Sequence, residues 1–187
     1  MTIKKEIRII DTEGMKRAFL KIAHEILARN KGPHNLALLG LQTRGVFIAK
    51  RIASIIENIE HVYIPVGILD ATMYRDDFRV AMKQPTVQVT SIPFNVDDTN
   101  IVLVDDVLYT GRTIRAALDA IMDYGRPKRV QLAVLIDRGH RELPLCPDYA
   151  GETIKTQSNQ EICVRMVEVE QDGIDEVTLV TLEKGDS

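Results

Sequence analysis

The segment Ile101-Val102-Leu103-Val104-Asp105-Asp106-Val107-Leu108-Tyr109-Thr110-Gly111-Arg112-Thr113 concentrates the chemistry of this chain. An apolar run ends in two adjacent carboxylates, and a loop of small and hydroxyl-bearing residues then leads into a helical pattern. The backbone N–H groups of such a loop, with the N-terminus of the helix behind it, form a cradle for an anion. Gly111 lets the backbone approach that anion, and the Thr110 and Thr113 hydroxyls can donate to phosphate oxygens. Ionised Asp105 and Asp106 are acceptors suited to vicinal hydroxyls. One stretch can therefore hold a phosphorylated sugar such as ribose 5-phosphate by both ends. The competing reading, that the two aspartates merely cap a helix, leaves adjacent like charges repelling one another to no purpose. The spacing is neither Gly-x-x-x-x-Gly-Lys nor a dinucleotide fingerprint.

Positioning this loop requires a sheet whose strands end on one side. Four apolar runs suit it: Leu36–Leu39, Val62–Leu69, Ile101–Val104 and Val130–Ile136. Between them lie helical stripes at i, i+3, i+4 spacing. The first is Met15, Ala18, Phe19, Ile22, Ala23, Ile26 and Leu27; the second runs from Val46 to Ile56; the third carries Ile114, Ala117, Leu118, Ile121 and Met122. Asp11 or Thr12 can cap the first helix, and Gly32-Pro33 can end it. Continuous Val/Ile/Leu runs alternating with amphipathic helices predict an α/β fold with a mostly parallel central sheet flanked by helices. In such a sheet ligands bind at the carboxyl ends of the strands, where the acid pair and its loop fall. The tail alternates instead (Ile162, Val164, Met166, a turn at Asp172-Gly173, then Val177, Leu179, Leu182), which predicts antiparallel strands beyond the core. Residues 71–99 are polar, contain Pro85 and Pro93, and read as a functional lid or hairpin.

With 187 residues and 45% hydrophobic content the chain is expected to be one domain, 1–187, with a core that needs no staples. No apolar stretch approaches the ~18 residues of a membrane span, and the charged Met1–Ile10 segment is unlike a signal peptide. Cys146 and Cys163 lack metal-ligand spacing and read as packing residues, as do Met15, Met122 and Met166. The expectation is a reduced, cytoplasmic protein with no membrane partner. The net charge of −3 conceals a basic first third: residues 1–60 carry 11 Lys/Arg against 6 Asp/Glu. That excludes a wholly cationic nucleic-acid binder but allows a local basic patch, with chance clustering as the bland alternative.

The acid-pair loop resembles the signature of the type I phosphoribosyltransferases, which bind 5-phosphoribosyl 1-pyrophosphate (PRPP). More closely, the chain resembles the PyrR family of bifunctional pyrimidine-operon regulators over about residues 9–183. The resemblance is carried by Arg17 to Asn30, Thr43-Arg44-Gly45, Tyr74-Arg75-Asp76-Asp77 and Asp137-Arg138-Gly139-His140-Arg141-Glu142-Leu143-Pro144. It implies the type I phosphoribosyltransferase fold, with a small hood drawn mainly from about 140–183. It also implies transfer of the phosphoribosyl group from PRPP to uracil, giving UMP and pyrophosphate, with Mg²⁺ carried mainly by PRPP. Asp105 and Asp106 would hold the ribose hydroxyls, and Tyr109, Thr110, Gly111, Arg112 and Thr113, behind Val104, Val107 and Leu108, would cradle the 5′-phosphate. Thr43, Arg44 and Gly45 would form the pyrophosphate loop, with Arg44 as its cation, and Arg75 would close over the leaving group. The plain alternatives are a surface arginine before a helix for Arg44 and a loop arginine paired with Asp76 or Asp77 for Arg75. Tyr109 stands where purine-type relatives place an aspartate, which speaks for a pyrimidine, and Arg138 would shape the base pocket or lie on the surface.

The same resemblance implies that the UMP-loaded protein, with UTP as a further nucleotide ligand, binds the leader mRNA of a pyrimidine operon and promotes termination. Arg17, Lys21, His24, Thr43, His140 and Arg141 would be its RNA contacts, while Leu20 departs from the threonine of close relatives. His24 has the alternative of a solvent-facing helix histidine. A homodimer or higher homo-oligomer is implied by the family alone. The alternative function is a salvage phosphoribosyltransferase for uracil, less readily for a purine, without RNA regulation.

Overall fold

The computed structural model describes residues 3–71, 89–169 and 171–183. Arg75, with the rest of 72–88, lies outside the described residues. The elements in chain order are β1 (Ile3–Ile10), α1 (Thr12–Asn30), β2 (Leu36–Leu41), α2 (Arg44–Glu60) and β3 (Val66–Leu69). After them come β4 (Asn100–Leu108), α3 (Arg112–Met122), β5 (Arg129–Asp137), β6 (Tyr149–Thr153), β7 (Gln160–Arg165) and β8 (Glu176–Leu182).

Five strands form a fully parallel sheet in the order β3-β2-β4-β5-β6. β2 is buried along its whole length, as is β4 from Ile101 to Val104, because helices cover both faces. The buried stripes of α1 and α2 pack on one face with Val102, Val104 and Leu135. Ile114, Ala117 and Ile121 of α3 pack on the other with Leu103, Leu132 and Val134. The caps follow from the sequence: Asp11 accepts from Gly14 N at 2.8 Å, and Lys31 ends α1 in the left-handed region with Gly32 N donating to Leu27 O. The β2–α2–β3 unit runs one way from the centre of the sheet and β4–α3–β5 the other. The crevice between the ends of β2 and β4 is thus the topological switch point, where an open α/β sheet takes its ligand.

A second sheet, antiparallel and ordered β1-β8-β7, packs beside the α1–α2 face through Val164, Met166 and Val177. Residues 140–183 divide between the layers: β6 extends the main sheet, whereas β7 and β8 join β1 from the other end of the chain. The expected Val62–Leu69 strand shortens to Val66–Leu69. Met122 is 54% exposed and Cys146 is exposed, so neither is the packing residue expected, while Met15 and Met166 are fully buried. Met122 closes the last turn of α3, where the stripe has already turned off the sheet. Among the described residues no helix is long and apolar enough to cross a membrane.

Candidate active site

The acid pair and its loop emerge at the carboxyl end of β4. Asp105, Val107 to Ile114 and Glu142 line a cavity of about 410 Å³ at the start of α3, a size suited to a small ligand. Gly111 sits at φ +93°, a conformation that calls for glycine, with Leu145 Cδ1 3.3 Å from where a Cβ would stand. Asp105 accepts from Asp106 N at 2.9 Å, and Asp106 accepts from Val107 N at 2.8 Å. Each carboxylate thereby fixes the backbone of the residue after it, and Asp105 is the one of the two that lines the cavity.

The segment after β5 holds the loop from behind. Glu142 N and Leu143 N donate to Thr110 O at 3.0 and 3.2 Å, and Arg138 N donates to Leu108 O at 3.0 Å. The Arg141 guanidinium donates to the carbonyls of Leu108 (3.1 Å), Tyr109 (2.8 Å), Gly139 (3.0 Å) and Leu145 (3.1 Å), and to the Asp137 carboxylate. Arg141, expected from the resemblance to meet RNA, has its guanidinium engaged by these carbonyls and by Asp137. With the carbonyls of 108–110 bonded on this side, the loop keeps one conformation around the helix N-terminus. Arg112 reaches across to Glu142, Nε to Oε2 at 2.7 Å.

Beside the cavity the Arg138 guanidinium lies over the Tyr109 ring, 3.8 Å from its centroid. Arg138 is only 8% exposed and is anchored by Thr156 Oγ1 and by the carbonyl of Gln160, the first residue of β7. It is not a surface arginine; it joins the loop after the acid pair to the second sheet and holds the Tyr109 ring by a cation–π contact. His140 is exposed, edge-on to Tyr109 at 6.0 Å, with Nε2 2.8 Å from Thr156 O.

Across the crevice, Thr43 precedes α2 and Arg44 opens it. An added Cβ on Gly45 would lie 2.4 Å from Val104 O and 3.2 Å from Asp105 Cα. Glycine alone lets α2 start against the strand that carries the acid pair. Arg44 itself is turned to Asp172, to which it donates at 2.9–3.2 Å. Farther along α2, Arg51 pairs with Asp175 and Glu168. Burial by itself would raise the Asp175 carboxyl, but the Arg51 and Val167 N–H hydrogen bonds and the Arg51 charge hold it below the ordinary carboxylate value. Burial pushes the Cys163 thiol upward, with Glu161 and Glu6 adding to the shift, so it is not a thiolate nucleophile.

The basic face of α1 borders a separate groove of about 800 Å³ that includes Arg8, Arg17, Lys21 and Glu152 over Ile10 and Ile154. Lys21 is tied to β6, donating to Ala150 O and Gly151 O at 3.0 and 3.1 Å. His24 and Thr43 are exposed, and Leu20 is 45% exposed on the same helix. The structure thus groups Asp105 with Val107–Thr113, groups Tyr109 with Arg138 and His140, and sets Arg17 and Lys21 in a different groove. Two site residues escaped the sequence reading. Glu142 was visible only as part of a motif, and Asp172 only as a turn residue, because its partner lies 128 positions away. Among the described residues no cluster of three or more His, Cys, Asp or Glu could hold a metal ion.

A phosphoribosyl transferase domain model matches residues 8–171 of the chain. A relative from Pelotomaculum thermopropionicum, named bifunctional protein PyrR, is 53% identical over 177 residues, covering 95% of this chain and 97% of that one. Another of the same name from Acetivibrio thermocellus is 54% identical over 177 residues, 95% of each chain. Among solved structures, an HGPRT-ase from Leishmania tarentolae in complex with GMP superposes with a TM-score of 0.68 at 19% identity, covering 95% of this chain and 96% of that one. A hypoxanthine phosphoribosyltransferase from Trypanosoma cruzi gives 0.68 at 13% identity, covering 94% and 97%. At such identities the solved structures speak to the fold alone.

Proposed function

The chain belongs to the phosphoribosyl transferase family, within its PyrR branch, and from that premise we propose that it transfers phosphoribosyl from PRPP to uracil and, loaded with UMP, binds pyrimidine-operon leader RNA. The observation that carries the first half is the cavity at the carboxyl end of β4, where Asp105 and the braced Tyr109–Thr113 loop line one space. The loop N–H groups and the Thr110 and Thr113 hydroxyls take the 5′-phosphate, and the α3 N-terminus favours its charge. Asp105, with Asp106 beside it, accepts from the ribose hydroxyls.

In the reaction the bond from C1 to the pyrophosphate oxygen breaks, a bond from C1 to uracil N1 forms, and the N1 proton is lost. Positive charge builds on the ribose, where the two carboxylates lie, and negative charge builds on the leaving group, toward which Arg44 opens α2. Both groups act by holding reactants and by electrostatics rather than by covalent chemistry. Mg²⁺ suits the oxygen donors of Asp105 and of the substrate, and when bound it neutralises pyrophosphate charge. The Tyr109 ring is held by Arg138, and its size would crowd a bicyclic base, which supports a pyrimidine.

The second half is supported by the basic groove of Arg8, Arg17 and Lys21 and by relatives that bear the name bifunctional. Cations in such a groove neutralise phosphates, and exposed His24, Thr43 and His140 can meet unpaired bases. A cytoplasmic homodimer or higher homo-oligomer completes the reading. The test is product analysis of the purified protein with PRPP, Mg²⁺ and equal uracil and hypoxanthine. UMP alone is expected; IMP as the main product, or no nucleotide, refutes the assignment.

A further inference from the structure

Arg44 stands in the strand-end crevice, yet its guanidinium is engaged by an acid from the far end of the chain. Nε donates to Asp172 Oδ2 at 3.2 Å, and Nη2 donates to Oδ1 and Oδ2 at 3.0 and 2.9 Å. The acid is the fixed member of the pair: its side chain is 9% exposed against 32% for Arg44, and Oδ2 also accepts from Met166 N at 3.0 Å. The turn that carries it is fastened independently. Two turns along α2, Arg51 donates to Glu168 at 2.6–2.8 Å and to Asp175 at 2.8–2.9 Å, and Asp175 accepts from Val167 N at 3.0 Å. A fork of this kind fixes the plane of a guanidinium as well as its place.

We infer that Asp172 is a positioning residue for phosphoribosyl transfer: it holds the Arg44 guanidinium in one orientation at the start of α2, ordered before the pyrophosphate group of PRPP arrives. The inference rests on the reading of Arg44 as the pyrophosphate cation. An arginine on a helix end carries several rotatable bonds, and immobilising them on substrate binding costs affinity and rate. Asp172 removes that cost in advance, without touching the substrate.

Steady-state kinetics with varied PRPP and calorimetric UMP binding test this on Asp172→Asn, Asp172→Glu, Arg44→Ala, the Arg44→Ala/Asp172→Asn double variant and Glu168→Gln. Asp172→Asn is expected to lower kcat/KM for PRPP about tenfold or more. UMP, which has no pyrophosphate, is expected to bind within about twofold of the parent. Asp172→Glu should recover part of the loss, and the double variant should be no worse than Arg44→Ala, since the acid acts only through the arginine. Glu168→Gln, which loosens the turn without reaching Arg44, should transfer like the parent. Parent kinetics in Asp172→Asn, tighter PRPP binding, equal loss of UMP binding, or multiplied losses in the double variant would each overturn the inference. If Arg44→Ala itself transfers normally, the pyrophosphate reading of Arg44 fails and the inference with it, a result distinct from a failure at Asp172 alone. Should Asp172→Asn not fold, Asp172→Ser carries the same cycle.

Discussion

Arg141 shows how one side chain can set the geometry of a loop it does not belong to. Its guanidinium serves four carbonyl oxygens, among them Leu108 O at the end of β4 and Tyr109 O in the loop that follows. Without it Leu108 O keeps Arg138 N as a donor, while a part-buried carbonyl left without one costs up to about 1–3 kcal/mol. Arg141→Ala is therefore expected to lower the melting temperature and to weaken UMP binding about tenfold or more. Calorimetry and thermal melts check this, and a variant impaired only in RNA binding would make Arg141 the RNA contact that the resemblance implies and remove it from bracing the loop. Asp105 acts more directly. Asp105→Asn should reduce kcat/KM for PRPP about a hundredfold by weakening the acceptor for the ribose and the developing positive charge, and steady-state kinetics within a few-fold of the parent would remove it from the site.

Between elements, the fastening of α2 to the β7–β8 turn carries a pH signature. Asp175 is held below the ordinary carboxylate value in the folded protein, where Arg51 and Val167 N–H bind its charged form. A depressed carboxylate contributes stability above its unfolded value, near ~3.9, and that contribution is lost as pH falls through the lowered folded value. Asp175→Asn should thus lower the melting temperature at neutral pH and shrink the difference from the parent below about pH 4; a constant difference across the acid range would contradict the linkage. At the α3 start, Gly111→Ala places a side chain at φ +93° with Leu145 in contact. It should cost about 1–2 kcal/mol of stability, measurable by denaturant titration, and raise the KM for PRPP. These elements were legible to different degrees. The three long helices and the apolar strands of the parallel sheet announced themselves by periodicity, because each buries a continuous stripe or run. β1 did not, since Ile3–Ile10 is an edge strand whose alternation is obscured by exposed charges. β6 did not either, being five residues long with Gly151 at its centre and prolines shortly before it.

Taken together, the molecule sets two surfaces on one frame. The cavity behind the acid pair lies at the carboxyl end of β4, and the basic groove lies between α1, β1 and the end of β6. The place of the loop after the acid pair, between β4 and the helix that follows, was readable because it is contiguous in sequence. What was not readable are the long-range partners: Arg44 with Asp172, Arg138 with Tyr109 and Gln160, and Arg141 with the loop carbonyls. Each of these depends on which side a bend turns its carbonyls and acids, a property of the folded topology that local spacing does not encode. The Tyr109–Arg138–Gln160 chain gives the loop after the acid pair a physical link to the second sheet. Replacing Lys21 by Ala should weaken RNA binding and flatten its salt dependence by about one unit of log–log slope while leaving uracil transfer intact; a slope equal to the parent's would exclude Lys21 as a phosphate contact. The decisive measurement is filter binding of the protein to pyrimidine leader RNA at one fixed salt concentration, with and without UMP, using a preparation that also converts uracil to UMP. Tight binding strengthened by UMP is expected. Weak binding that ignores UMP, with transfer intact, would contradict the coupling of the two surfaces and leave a salvage enzyme.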